Sequence, residues 1–186
     1  MECDNLNLID LTANKMAVYI HSQVEHSSSV AVLKYSLIIV INFFIVAFTT
    51  LLVCFFTGNV EKGIIALLCV PLLRYFSGGI HLKSAAACSL VTSLLILIAI
   101  HLQYSYIYSG VVLTLLSALI LLFYAPQGIL NVSSIDPKYY PLLKTISILI
   151  VSVNFYFESS FLASVFFLQS LTTLNAAQKF VDHYNI

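Results

Sequence analysis

The chain has few charged residues. Of its 186 residues, 9% are Asp, Glu, Lys or Arg, whereas 60% are hydrophobic. A soluble domain carries about 25% charged residues. The eight basic residues balance the eight acidic ones, so the sequence offers neither a basic surface for nucleic acid nor an acidic tail. The composition therefore excludes an ordinary soluble domain and predicts no nucleic-acid partner.

Motifs for metals and redox chemistry are also lacking. The cysteines are Cys3, Cys54, Cys69 and Cys88, and no two of them have the CxxC spacing of a zinc site or a thioredoxin-like centre. The histidines are scattered, and there is no HExxH motif. The sequence therefore predicts no metal site and no cofactor, and Cys54 and Cys69 are interpreted as small packing residues within apolar runs.

What the sequence does contain is a series of long apolar runs. A transmembrane helix needs about 20 mostly apolar residues. Six runs approach or exceed that length, at about 35–57, 63–73 continuing into the next polar motif, 85–103, 107–124, 142–157 and 161–176. We therefore predict an all-α polytopic membrane protein with about six transmembrane helices plus an N-terminal amphipathic helix. It forms one integral membrane domain, 1–186, in which 1–31 are a cytoplasmic amphipathic segment and 32–186 the helical bundle.

The N-terminal segment has helical periodicity. Leu8, Leu11, Met16, Tyr19 and Ile20 fall roughly on one stripe. Two interpretations stand side by side, a helix lying on the membrane surface and a helix packing over the bundle.

The distribution of Lys and Arg predicts the orientation. Cytoplasmic loops carry an excess of these residues. With the N-terminus in the cytoplasm, only Lys62 falls outside, and the other basic residues fall inside: Lys15, Lys34, Arg74, Lys83, Lys138, Lys144 and Lys179. We therefore expect a multi-pass protein of the bacterial cell membrane with both termini and the polar motif described next on the cytoplasmic side.

Functional groups are concentrated in RYFSGGIHLKSAAACSL, residues 74–90. Cysteine and histidine together are the minimum for nucleophilic acyl transfer, in which a thiolate attacks a carbonyl and imidazole moves the proton. His81 and Cys88 are seven residues apart, which is about 10 Å along a straight helix. A direct pair therefore requires a non-helical chain around His81.

The motif has residues that interrupt a helix and restart it. The glycines Gly78 and Gly79 favour a break. Ser84 is a good N-cap before three alanines, so we expect Cys88 near the N-terminal end of a new helix, a position that together with nearby cations favours a thiolate. We expect Cys88 and His81 to be catalytic. Supporting residues for an oxyanion hole or for substrate positioning are predicted to be Arg74, Ser77, Gly78, Gly79, Lys83 and Ser84.

Each of these residues also has a structural interpretation: a packing cysteine, an anchoring histidine, or glycines at a helix contact. Their concentration within fifteen residues favours function. No third catalytic residue is identified. Asp136 is interpreted as a turn or cap residue, and Glu158 as a solvated residue of an outside turn.

At these residues the chain resembles the accessory gene regulator protein B (AgrB) family of Gram-positive quorum sensing. The resemblance rests on Arg74, the run Ser77–His81, Cys88, and the pair Ala125-Pro126 after the fourth span. It implies a membrane cysteine endopeptidase that cleaves the C-terminal tail of an AgrD-type propeptide. Cys88 would form a thioester with His81 as base, and cyclisation would give a thiolactone or lactone. The implied partners are this precursor peptide and the lipid bilayer, with a homodimer left open. The mildly basic loop after Ala125-Pro126 departs from the family's strongly basic one.

Two other functions remain as alternatives. One is a small non-enzymatic membrane transporter, channel or assembly partner in which Arg74 and His81 line a polar pathway. The other, weaker alternative is an acyltransferase using the same Cys–His chemistry. Replacement of Cys88 by serine separates an enzyme from a transporter, because only an enzyme needs the sulfur.

Overall fold

A computed structural model of the chain describes residues 8–24, 28–80, 82, 84–128 and 136–184. Within these residues the chain is helical apart from short connections and one isolated backbone bridge, which confirms the predicted helical class for this part. In chain order the α-helices are α1 (Leu8–Gln23), α2 (Val30–Thr57), α3 (Val60–Ser77), α4 (Ala85–His101), α5 (Val111–Tyr124), α6 (Tyr140–Ser152), α7 (Asn154–Phe157), α8 (Ser160–Leu171) and α9 (Asn175–Tyr184). A π-helical turn, Tyr106–Gly110, precedes α5, and a 3₁₀ turn, Pro137–Tyr139, precedes α6.

Three helical stretches of the described chain are long and apolar enough to cross a membrane: Val30–Thr57, Tyr106–Tyr124 and Pro137–Phe157. Helices α4 and α8 are apolar but shorter. The 12 residues of α8 span about 18 Å at 1.5 Å per residue, less than the ~30 Å hydrocarbon core of a bilayer. The long apolar helices are those of a membrane protein, and the number of six spans stays a prediction.

Helix α8 is the most enclosed helix of the bundle. It packs against α3, α4 and α5, and more than half of its residues are buried, among them Ala163, Ser164 and Ser170. Small side chains of this kind let neighbouring helices approach closely. The central place of α8 brings its C-terminal end beside the ends of α3 and α4, where the polar motif lies.

A tight hairpin joins α2 to α3. Gly58 ends α2 in the left-handed conformation, with φ 69°, and its N–H bonds to the carbonyl of Cys54. A Cβ on Gly63 would lie 2.9 Å from the sulfur of Cys54, so the glycine permits this close crossing. Cys54 is fully buried here, in agreement with its interpretation as a packing residue.

The same end of the bundle holds a polar cluster around Asn154, which is fully buried. The Asn154 side chain donates to Oγ1 of Thr114 and to the carbonyl of Ser159, both at 3.1 Å. The hydroxyl of Tyr106 donates to the Asn154 carbonyl at 2.9 Å, and that of Tyr104 to the Ser160 carbonyl at 2.6 Å. These bonds tie the π-helical turn, α5 and α8 together at the end away from the polar motif.

Helix α1 packs on α2 in a way that differs from the predicted stripe. Its buried residues are Ala13 and Ala17, and Asp10 pairs with Lys34 of α2 at 3.8 Å. The larger apolar side chains of the stripe, such as Met16 and Tyr19, are exposed. The small alanines therefore face the bundle, and the larger apolar side chains point away from it, where lipid could cover them.

Helical structure extends beyond the ends of two apolar runs. The polar residues after the sixth run form helix α9, and its Val181 is buried. Tyr106, just before the fourth run, already begins the π-helical turn. Hydrophobicity alone does not mark these ends, because polar residues after an apolar run suit a loop and an amphipathic helix equally.

Candidate active site

The polar motif begins at the end of α3. Arg74 lies in the last turn of this helix and is half-buried. Its Nη2 donates a hydrogen bond to the carbonyl of Ile80. Among the described residues, no carboxylate forms an ion pair with Arg74. The guanidinium therefore holds the backbone that follows α3 through this hydrogen bond. Its positive charge has no carboxylate partner among the described residues.

The two glycines make the break that the sequence predicts. Gly78 has φ 70° and ψ −148°, and Gly79 has φ 149°, values that side-chain-bearing residues rarely adopt. The Gly78 N–H caps α3 by donating to the carbonyl of Arg74 at 2.9 Å. Ser77, fully buried, donates from Oγ to the Gly78 carbonyl at 3.2 Å. We call residues Gly78–Ile80 the glycine turn.

The glycine turn is held by backbone contacts from two distant segments. Gly79 N–H donates to the carbonyl of Gln127 at 3.1 Å, and Gln127 N–H donates to the carbonyl of Ser77 at 3.0 Å. Ile80 N–H donates to the carbonyl of Thr172, just after α8, at 2.9 Å. A Cβ on Gly78 would lie 1.9 Å from the Gln127 carbonyl oxygen. Only glycine fits at position 78, where these segments of the chain meet.

Helix α4 begins as predicted. Ser84 has an extended conformation, and its Oγ accepts a hydrogen bond from Ala87 N–H at 3.4 Å, which confirms it as the N-cap. Cys88 N–H bonds to the Ser84 carbonyl at 3.0 Å. Cys88 is thus in the first turn of α4, half-buried. The N–H groups of Ala85 and Ala86 have no intrahelical acceptor at this position.

The next residue of α4 fixes the rotation of this helix against α2. Ser89 is buried, and its hydroxyl donates to Oδ1 of Asn42 at 2.9 Å. One turn further, the hydroxyls of Ser93 and Thr49 are 2.9 Å apart. These two polar contacts cross the α2–α4 interface on the same face of α4. They set the direction in which Cys88, the neighbour of Ser89, points.

Arg74 and Cys88 line one pocket between α3, α4 and α8. Its free volume is about 20 Å³, enough for about one water molecule and too small for a large solute. The polar lining comes from Arg74, Cys88, Thr92, Gln169 and Thr172. The apolar lining comes from Val70, Ile80, Leu82, Val91, Leu95, Ile96, Val165 and Leu168. A group bound beside Cys88 would therefore have mostly apolar neighbours.

The structure brings most of the predicted site residues together. Arg74, Ser77, Gly78 and Gly79 form the end of α3 and the glycine turn, while Ser84 and Cys88 form the start of α4. His81 and Lys83 lie outside the described residues. The distance from His81 to Cys88 therefore stays a prediction.

The backbone hydrogen bonds of the glycine turn limit which N–H groups could stabilise an oxyanion. The N–H groups of Gly78, Gly79 and Ile80 already donate to backbone carbonyls. They are therefore not free to bind a developing negative charge. Gly78 and Gly79 were predicted as supporting residues, and their N–H groups hold the backbone of the turn instead.

Sequence reasoning missed the contribution of α8 and of the segment after α5. Gln169 is 4% exposed and donates from Nε2 to the Gly78 carbonyl at 3.2 Å. Thr172 and Gln127 bond to the glycine turn through their backbones. The available signal was an amide inside the apolar run of α8, because a buried amide needs a hydrogen-bond partner.

The two loop acids have the predicted local roles, a cap for Asp136 and an exposed turn position for Glu158, while the side of the membrane stays a prediction. Asp136 caps the 3₁₀ turn, accepting from Lys138 N–H at 3.1 Å, and it pairs with the Lys138 ammonium at 3.0 Å. The backbone hydrogen bond, more than the side-chain one, holds the pKa of Asp136 below its usual value. Glu158 is exposed in the turn before α8. Within the described part of the chain, no three His, Cys, Asp or Glu residues are grouped closely enough to hold a metal ion.

These features define a helical membrane protein that carries a cysteine in a small pocket beside a glycine turn and an arginine. Residues 13–179 match the family described as accessory gene regulator B. The match covers nearly the whole chain, and the chain belongs to this family, which places it in accessory gene regulator quorum sensing. No curated protein and no solved structure matches the chain.

Proposed function

We propose that the protein is a membrane-embedded cysteine endopeptidase that cleaves an AgrD-type propeptide and promotes cyclisation of the product. The observation that carries this proposal is the position of Cys88, in the first turn of α4 and in one pocket with Arg74. The glycine turn ends directly before His81 in the chain. A nucleophile, a base and a cation thus come from one short segment that is folded back on itself.

The first step is acyl transfer to Cys88. His81 takes the thiol proton while the sulfur attacks the carbonyl carbon of the scissile peptide bond. In this proposal the N–H groups at the start of α4 stabilise the negative charge on the tetrahedral oxygen. When the intermediate collapses, the C–N bond breaks, and the amine of the tail takes the proton from the imidazolium. The remaining peptide is then a thioester of Cys88.

The second step closes the ring. A cysteine or serine side chain within the bound peptide attacks the thioester carbonyl, and its proton passes through His81 to the departing sulfur of Cys88. The product is a cyclic thiolactone or lactone. A tethered nucleophile has a high effective concentration, and the apolar lining keeps water away from the thioester. Cyclisation is therefore favoured over hydrolysis.

The proposal includes an orientation. The ends of α3 and α8 and the start of α4 lie together at one end of the bundle. We place this end, both termini and the active site on the cytoplasmic side, where an amphipathic precursor on the inner leaflet would reach it. The support is the excess of Lys and Arg in the segments assigned to that side.

The test is mass spectrometry of a co-expressed candidate propeptide with wild type, Cys88→Ala, Cys88→Ser and His81→Ala. We expect loss of the tail with wild type only, and a peptide–Cys88 thioester in trapped samples. Cys69→Ala is the matched control, because Cys69 is half-buried in α3 and does not line the pocket. Equal cleavage by Cys88→Ala would refute the mechanism, and absence of cleavage by wild type with peptide export unchanged in Cys88→Ser would favour a transporter.

A further inference from the structure

Gln169 is a polar residue that the peptidase mechanism above does not use. It lies in the apolar helix α8 and is 4% exposed. Burial of an amide is unfavourable unless it forms hydrogen bonds. An apolar residue of similar size would suit the packing of α8 at least as well, so the amide calls for a functional explanation.

The partner of this amide is the glycine turn. Gln169 Nε2 donates to the carbonyl of Gly78 at 3.2 Å, across 91 positions of the chain. The pairing with Gln127 uses the carbonyl of Ser77 and the N–H of Gly79. It leaves the Gly78 carbonyl to the Gln169 amide and to the Ser77 hydroxyl. Gln169 is therefore the side chain by which α8 holds this carbonyl.

Helix α8 also reaches the other end of the turn. The carbonyl of Thr172 accepts from Ile80 N–H at 2.9 Å. That bond uses backbone atoms, so any residue at position 172 could provide it, whereas the bond to Gly78 depends on the side chain of Gln169. A substitution of Gln169 therefore removes the side-chain bond from α8 to Gly78 and leaves the backbone bonds to Gln127 and Thr172 in place.

Gln169 lines the same pocket as Cys88. Helix α8 thus contacts both the surroundings of the nucleophile and the backbone that leads into His81. In the proposed function His81 comes from the connection between α3 and α4, and Cys88 comes from the first turn of α4. Helix α8 contacts the glycine turn of that connection and lines the pocket of Cys88.

We propose that Gln169 is a positioning residue, whose side-chain amide fixes the glycine turn that precedes His81 in the chain, and that catalysis at Cys88 depends on this turn. This inference rests on the proposed function. It assigns to α8 a part in catalysis without contact with the reacting atoms.

The test uses Gln169→Met, which keeps the length of the side chain and removes the donor. A misplacement of about 1 Å can cost ~100-fold in rate, so we expect kcat for propeptide cleavage to fall by about 10- to 100-fold with KM unchanged. The matched control is Gln103→Met, the same substitution at an exposed glutamine at the other end of the bundle.

A second readout needs no peptide. The rate at which iodoacetamide alkylates Cys88 is followed against pH by peptide mapping, for wild type, His81→Ala and Gln169→Met. If Gln169 positions His81, the profile of Gln169→Met moves from that of wild type towards that of His81→Ala. A residue that only stabilises the fold would change the amount of protein and leave this profile where it is.

Two results would overturn the inference: a wild-type kcat and alkylation profile for Gln169→Met, or a raised KM with unchanged kcat, which would make Gln169 a substrate contact. If Gln169→Met fails to accumulate, Gln169→Asn withdraws the amide by one methylene and is judged by the same criteria. If wild type processes no propeptide, the proposed function fails, and a shifted alkylation profile would still support the positioning role.

Discussion

Gly79 and Thr172 approach each other so closely that a Cβ atom on Gly79 would lie 2.7 Å from Oγ1 of Thr172. The glycine also has φ 149°. Two independent constraints, a conformational one and a steric one, therefore act at the centre of the glycine turn. Any side chain at position 79 would violate both constraints.

We expect Gly79→Ala to lower propeptide cleavage by at least about 100-fold, because the shifted turn would misplace the residue that follows it. Thr172→Ala in the same protein removes the steric conflict but not the unfavourable φ, so it should restore only part of the activity. Gly58→Ala is the control. It has a positive φ with nothing within 4 Å of the added Cβ and should cost about 1–2 kcal/mol of stability while activity is kept.

Ser84→Ala should lower both stability and activity. Loss of an N-cap costs about 1 kcal/mol, and fraying of the first turn of α4 would move Cys88. Ser84→Asp keeps an acceptor for Ala87 N–H and should retain more activity. The measurements are unfolding in detergent and tail cleavage.

Ser159→Ala provides the comparison for Ser84→Ala. Ser159 caps α8 at the opposite end of the bundle by accepting from Leu162 N–H at 3.3 Å. We expect a similar loss of stability with activity unchanged. Equal losses of activity in the two variants would show that the cap near Cys88 has no special role.

Ser89→Ala removes the hydroxyl that bonds to Asn42 and leaves the Asn42 amide oxygen without this donor. We expect slower alkylation of Cys88 and lower kcat, since the rotation of α4 is less well fixed. Ser93→Ala removes the next contact of the same interface, to Thr49, and should have a smaller effect because it lies further from Cys88. The reverse order of effects would contradict this explanation.

Tyr104→Phe should destabilise the end of the bundle away from the site. It removes hydrogen bonds to the Ser160 carbonyl and to Ser164, both at 2.6 Å, at about 1 kcal/mol each. Burial raises the pKa of Tyr104 above its usual value, although its bond to Ser164 opposes this. Activity should be retained in the variant, because Tyr104 is remote from Cys88.

The raised pKa of Tyr104 also predicts a dependence of stability on pH. Above pH ~10 the unfolded chain loses the phenol proton that the folded protein keeps. The contribution of Tyr104 is therefore complete below that pH and is lost as the pH rises through the pKa of the folded protein. Unfolding of wild type and Tyr104→Phe should converge in this alkaline range, and a constant difference would contradict the assignment.

The proposed orientation can be measured by thiol labelling in a variant that lacks the chain's own cysteines. A membrane-impermeant maleimide should label Asn59→Cys in intact cells, because the α2–α3 turn is assigned to the outside. It should label Lys179→Cys only after the membrane is opened. The opposite pattern would place the active site outside and exclude a cytoplasmic precursor.

Local features of the chain were predictable from the sequence. The apolar runs indicated membrane helices, Gly78 and Gly79 predicted the end of α3, and Ser84 predicted the start of α4 with Cys88 in its first turn. Each of these signals acts through neighbouring residues, by backbone conformation, capping or continuous hydrophobicity. These predictions were correct because the local structures they describe form without distant contacts.

The tertiary structure alone decided which residues hold the site together. Gln169 and Thr172 come from the distant helix α8, and Gln127 from the segment after α5. No local pattern indicates such contacts. In a membrane protein the face towards lipid is as apolar as the face towards protein, so an apolar sequence does not show which helices meet. Packing of the bundle made that choice, and with it bonded the N–H groups of the glycine turn to Arg74, Gln127 and Thr172.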